Sequence, residues 1–189
     1  MATTTKILSK SAAPAGRAPS LVLVDPRFPH NVGMTVRLAS CYGLEQVWFT
    51  GDRVRLELES KKRLPREERM KGYRDVEMIN YDRPLEQFAR DAVPVAVEVR
   101  ANSERLDQFV HPKNAVYVFG PEDGDIPAPI LACCHRFVII PTRNRYCLNL
   151  ATAVATVLWH RTEQLGELPD TVDAVGHEDT NPDAIGIYG

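Results

Sequence analysis

Asn31, Gly33 and Arg37 fall within seven residues of one another, and they form one of three groups in this chain whose types and spacing suit chemistry. The second is Phe119-Gly120-Pro121-Glu122-Asp123-Gly124, and the third is Ile140-Pro141 followed by Cys147-Leu148-Asn149-Leu150-Ala151. Each lies where an apolar run breaks into Gly, Pro, Asn or Asp, the places where an α/β sheet sets its ligand-holding loops. Gly120 and Gly124 let a backbone approach a ligand closely, Pro121 and Pro127 stiffen the turn, and the carboxylates of Glu122 and Asp123 can accept hydrogen bonds from hydroxyls or amines. One such turn alone is an ordinary strand-to-helix connection; three of them suggest one shared site. No GxGxxG follows the first strand and no GxxxxGK[ST] occurs, so neither a dinucleotide fingerprint nor a triphosphate cradle is indicated.

Holding three such loops requires strands that alternate with helices, and the body of the chain has that pattern. Leu21–Val24, Gln46–Thr50, Val76–Ile79, Val93–Val97, Ala115–Phe119 and Phe137–Ile140 read as strands. Helices are expected from Asn31, as N-cap, through Tyr42 with Gly43 as the stop, then around Leu85–Arg90, Ala128–Cys134 and Leu148–Gln164. The charged stretch after the second strand reads as loop and broken helix. The fold class is therefore α/β, a mainly parallel sheet with helices on both faces. The closing helix carries Leu150, Ala151, Ala153, Val154, Ala155, Val157 and Leu158 around most of its cylinder, so it needs cover on two sides. A second subunit and burial within one subunit are equal candidates for the outer cover.

With 189 residues, 44% apolar and 25% charged, the chain suits one soluble globular domain. The longest apolar stretch, Tyr146–Trp159, is too short to cross a bilayer and the N-terminus lacks a signal-peptide core, so no membrane is expected and the compartment reads as cytoplasmic. Cys41, Cys133, Cys134 and Cys147 make no spaced pair, and adjacent Cys133 and Cys134 beside His135 cannot readily aim both thiols at one ion; no metal is expected. Residues 166–189 hold six acids and no Lys or Arg, so the formal charge of −2 hides a body with 23 bases against 19 acids. Arg53–Arg83, with ten bases and seven acids including Lys61-Lys62-Arg63, suits a polyanion or a solvated face. Residues 1–18 read as a disordered tail, 19–165 as the domain and 166–189 as an acidic, flexible tail.

Taken in order, the three groups resemble the motifs of the SpoU-type (TrmH-like) RNA 2′-O-ribose methyltransferases of the SPOUT class, over about residues 20–165. The resemblance implies a C-terminal trefoil knot that binds S-adenosylmethionine, and a homodimer in which the closing helix helps form the interface. A knot is nearly absent from other folds, and no periodicity predicts one. By position, Gly120, Ile140 and Cys147 match the cofactor-holding residues, with Leu148 beside them and Glu98 a weaker candidate. Asn31, Arg37, Glu122 and Asn149 match the family's polar set, with Arg37 usually assigned to the acceptor hydroxyl. Cys147 departs from the pattern, standing where many relatives have serine; a thiol is the weaker donor, though a backbone contact would survive the exchange.

The reaction so implied is an in-line displacement, for which a protein must supply alignment and help with the hydroxyl proton. Guanidinium stays protonated and has no free lone pair, so Arg37 suits clamping a phosphate and stabilising a developing alkoxide, leaving the proton to Glu122 or solvent. Arg143 and Arg145 are better placed to meet RNA phosphate than Lys61-Lys62-Arg63, with plain surface charge as the alternative for both, and His30 either touches RNA or closes its loop. Few residues precede the first strand, which resembles compact members acting on tRNA more than two-domain relatives acting on rRNA. The alternatives are a catalytically silent RNA-binding module and a flavodoxin-like domain with another small ligand.

Overall fold

The computed structural model describes residues 14–60, 75–144 and 146–168. Seven short strands form one sheet: β1 (Ser20–Leu23), β2 (Gln46–Phe49), β3 (Glu77–Asn80), β4 (Val93–Val97), β5 (Glu104–Arg105), β6 (Ala115–Phe119) and β7 (Arg136–Ile139). Their order is β3-β2-β1-β6-β4-β7-β5, and every pairing is parallel. A parallel sheet is covered on both faces, so its central strands need apolar residues in succession, and all five residues of β6 are buried.

Four helices complete the described fold: α1 (Pro29–Cys41), α2 (Arg53–Ser60), α3 (Ala128–Leu131) and α4 (Leu150–Gln164), with 3-10 turns at Pro84–Gln87 and Leu106–Gln108. One face of the sheet, with Leu21, Leu23, Val95, Tyr117 and Phe119, packs on Val32, Val36 and Ala39 of α1 and on Val154, Val157 and Leu158 of α4. Val22, Trp48, Ala96, Val116 and Val118 point the other way, toward Ile126 and Cys134, with Leu85, Ile130 and Leu131 packed alongside.

The elements follow local chemistry with some corrections. α1 starts at Pro29, because a proline at the first helical position gives up a donor that has no partner there; Phe28 is the N-cap, and Asn31 sits inside the first turn with its side chain engaged elsewhere. Gly43 does end the helix, in the left-handed conformation at φ +69°. α4 begins later than expected, at Leu150, because the Asn149 side chain accepts from the backbone N–H of Ala151 at 2.9 Å and Thr152 at 3.4 Å. α3 stops at Leu131 and the helix expected around Leu85 is a 3-10 turn. β5, which has no apolar pattern, was not foreseen, whereas α2 falls in the charged stretch read as loop and broken helix, without bounds. Residues 16 and 17 of the expected tail are held: Gly16 N–H donates to Gln87 O and Arg17 N–H to the Gln46 side chain. Lys61-Lys62-Arg63 lies outside the described residues, as does most of the acidic tail.

Strand order reverses between β1 and β6, where a parallel sheet opens a crevice at its carboxyl edge. Leu23, Phe119, Val97 and Val138 form one row across four strands, so the residues after them emerge side by side along that edge.

Candidate active site

Three loops meet at this edge through an unbroken relay of hydrogen bonds. Asn31, 1% exposed, donates from Nδ2 to Glu122 Oε1 at 2.6 Å, and Asn149 donates from Nδ2 to Asn31 Oδ1 at 3.0 Å. Glu122 Oε2 accepts from the Arg27 backbone N–H at 2.7 Å. The direction is forced: a carboxylate only accepts, so Asn31 must turn its NH2 to Glu122 and its oxygen to Asn149, which in turn aims its own oxygen at the start of α4. The three predicted motifs, 91 and 118 residues apart, are thereby locked together.

A charged collar surrounds the relay. Arg53, at the start of α2, donates from Nη1 to both oxygens of Asp123 at 3.0 and 2.9 Å and from Nη2 to the Asp25 carbonyl. Those hydrogen bonds hold the Asp123 carboxyl below its ordinary range. The Arg27 guanidinium adds a longer contact to Asp123, at 3.4 Å. Asp25 has φ +41°, and a Cβ on Gly51, itself at φ +72°, would lie 2.0 Å from Asp25 Oδ1, so only glycine lets the loops after β1 and β2 come this close.

Beside the relay, the loop after β6 folds back over Gly120: a Cβ there would meet Ile126 Cγ1 at 3.2 Å and its backbone nitrogen at 3.4 Å. Glu98 holds that loop, accepting from the Ile126 N–H at 3.2 Å with Oε2 and from the Val99 N–H at 2.9 Å with Oε1. Ile140 is half-buried against the core, Cys147 is an exposed free thiol, and Leu148 is partly open. Arg37 is exposed and six residues, less than two turns, along α1 from Asn31, about 9 Å by helical rise. Within this chain the fold brings Asn31, Glu122 and Asn149 into contact but leaves Arg37 apart from them. Arg143 is exposed in the loop before Cys147, and Arg145 lies outside the described residues. Arg27, Arg53 and Ile126 were missed as parts of the site; closeness to the motifs in sequence was the only signal for Arg27 and Ile126, and Arg53 offered none. Among the described residues no group of three His, Cys, Asp or Glu could hold a metal ion, and no helix is long and apolar enough to cross a membrane.

Comparison with known proteins bears on the fold and the family. The profile of the SpoU rRNA Methylase family matches residues 18–159. An uncharacterized tRNA/rRNA methyltransferase of Synechocystis sp. is 26% identical over 153 residues, 76% of this chain; the chain spans about half that relative's length, 53%. A structure concerned with 2-OH methylation of C/U34 on tRNA is 27% identical with a TM-score of 0.64, over 78% of this chain and 90% of that one. The SpoU methyltransferase AviRb of Streptomyces viridochromogenes, solved with AdoMet, shares the fold at 16% identity and a TM-score of 0.64, over 82% of this chain and 64% of that one. With its three motifs in order, the parallel sheet that gathers them and a profile match that runs through all of them, this chain belongs to the SpoU rRNA methylase family.

Proposed function

We propose that this chain is an S-adenosylmethionine-dependent RNA methyltransferase that acts on a ribose 2′-hydroxyl, with tRNA favoured over rRNA as acceptor. The observation that carries this reading is the Asn31–Glu122–Asn149 relay, which ties the three motif loops together beside Gly120. The preference for tRNA is supported by the 27% identical structure concerned with tRNA 2-OH methylation, 90% of whose length is matched.

The residues present fit the cofactor. Gly120 lies under a folded loop where an added Cβ would crowd Ile126, and Ile140 and Leu148 offer apolar contact beside it. Gly120, Ile140, Cys147 and Leu148 would hold S-adenosylmethionine, with Glu98 shaping the loop through Ile126. When bound, this cofactor supplies a methyl group on a sulfonium, activated toward an oxygen nucleophile. Both Glu122 oxygens are engaged by Asn31 and Arg27, so Glu122 positions the loops and the hydroxyl proton passes to solvent. Arg37 clamps an RNA phosphate and balances the charge that develops on the ribose oxygen, with Arg143 and Arg145 adding phosphate contacts.

Three finer readings go with it. The segment from β7 to α4 must cross back over the edge to reach α1, which supports a C-terminal trefoil knot. Trp159 of α4 and Met34 of α1, 54% and 46% exposed on neighbouring helices, support a homodimer through that side. The family's RNA substrates support a cytoplasmic location.

Nucleoside mass spectrometry of RNA from cells with and without this gene tests the proposal. Loss of one 2′-O-methyl nucleotide is the expected result, and the RNA that loses it distinguishes tRNA from rRNA. An unchanged profile would overturn the enzyme reading, and cofactor binding without transfer would replace it with a silent RNA-binding module.

A further inference from the structure

Beside the relay stands a group that the transfer chemistry does not use. Phe28 is 39% exposed, its ring stacks on His30 with centroids 5.5 Å apart and planes 27° apart, and the Arg27 guanidinium lies 5.2 Å from the Phe28 centroid. The group is held in place at several points. The Arg27 N–H is bonded to Glu122 and its guanidinium reaches Asp123, Phe28 caps α1, and Pro29 fixes the backbone between the two rings. Burial does not account for it, since Arg27 and Phe28 are both exposed. The result is an exposed aromatic ring with a cation and an imidazole against it, one residue from the backbone N–H that Glu122 accepts.

Resting on the reading above, we infer that Arg27, Phe28 and His30 form a stacking platform for the base of the acceptor nucleotide. A base and its 2′-hydroxyl sit on the same sugar, so a base held by Phe28 keeps its ribose near the Asn31–Glu122 relay. Proteins that take single-stranded RNA combine aromatic faces with nearby cations in this way, and stacking tolerates any base because every base has a π-face. A paired base cannot reach such a platform without leaving its helix, so the acceptor is an unpaired nucleotide in a loop or at an end.

The test uses the full chain, methyl-labelled S-adenosylmethionine, and total RNA, tRNA and rRNA together, purified from cells lacking this gene. Phe28→Leu keeps apolar bulk and removes the π-face, Phe28→Tyr and Phe28→Trp restore a ring, and thermal melting verifies that all three fold. Phe28→Leu is expected to raise KM for RNA about tenfold with KM for S-adenosylmethionine unchanged, and the two aromatic variants to return it to within about twofold of wild type. An RNA KM unchanged in Phe28→Leu, or a loss that Tyr and Trp fail to rescue, overturns the platform while leaving the methyltransferase reading intact. A wild-type chain that transfers no methyl group to this RNA overturns both.

Discussion

Asn31 illustrates how one side chain can tie distant loops together. It is buried between an acceptor-only carboxylate and a second amide, so removing it strands Glu122 Oε1 and Asn149 Nδ2 together. Asn31→Ala should cost about 1–3 kcal/mol in urea unfolding, the range for partners left unsatisfied, and should abolish most transfer. A variant of wild-type stability would mean that the relay does not hold the loops. Arg37 is the opposite case, exposed and six residues along α1 from Asn31. If it clamps a phosphate with its planar fork, Arg37→Lys keeps the charge and loses the geometry, and kcat should fall at least about tenfold. Unchanged turnover would leave Arg37 as a surface charge.

At the scale of elements, α1 and α4 carry the site because their starts lie at the carboxyl edge and their bodies pack on each other. The end of α1 depends on Gly43 at φ +69°, and a Cβ there would meet nothing within 4 Å. Gly43→Ala therefore isolates backbone strain from crowding, and should lower stability by about 1 kcal/mol in urea unfolding, with Gly43→Asn milder. α4 buries Leu150, Ala151, Val154, Val157 and Leu158 within one chain and leaves Ala153 and Ala155 half-buried, so most of its apolar cylinder is already covered and Trp159 is the large apolar side chain it presents outward. Trp159→Arg should convert a dimer to a monomer in sedimentation velocity. A wild-type chain that sediments as a monomer would remove the interface and the need for a second cover.

For the whole molecule, one buried network fastens the far end of α4 to the sheet. His111, 3% exposed, has Nδ1 2.6 Å from the Tyr117 hydroxyl and Nε2 2.8 Å from His160 Nδ1, and its backbone N–H donates to Gln164 at 2.7 Å. Burial above all, then the neighbouring His160, Arg161 and Arg136, lowers its pKa to about 4. The unfolded chain takes up that proton near the ordinary value of about 6.5, so stability complete above that value declines as pH falls toward about 4, by at most roughly 3 kcal/mol. Unfolding free energies at pH 7 and pH 5 should differ less in His111→Asn than in wild type. Equal slopes would show that this histidine is not the group that titrates.

Sequence by itself determined the strands whose apolar runs are sharply bounded: β4 at Val93–Val97 and β6 at Ala115–Phe119 were legible residue for residue, and the three strand-to-helix connections were legible in place though not in their ends. These are local facts, fixed by hydrophobic period and by turn-forming residues. The start of α1 was misread because Asn31 has the chemistry of a cap, whereas Pro29 took the first position and freed the amide for Glu122, 91 residues away. β5 was invisible because Glu104 and Arg105 are exposed, and strand pairing alone makes them a strand. Only the tertiary structure decided which groups meet: a parallel sheet brings every strand's carboxyl end to one edge, and contacts across that edge depend on strand order, which no local pattern encodes.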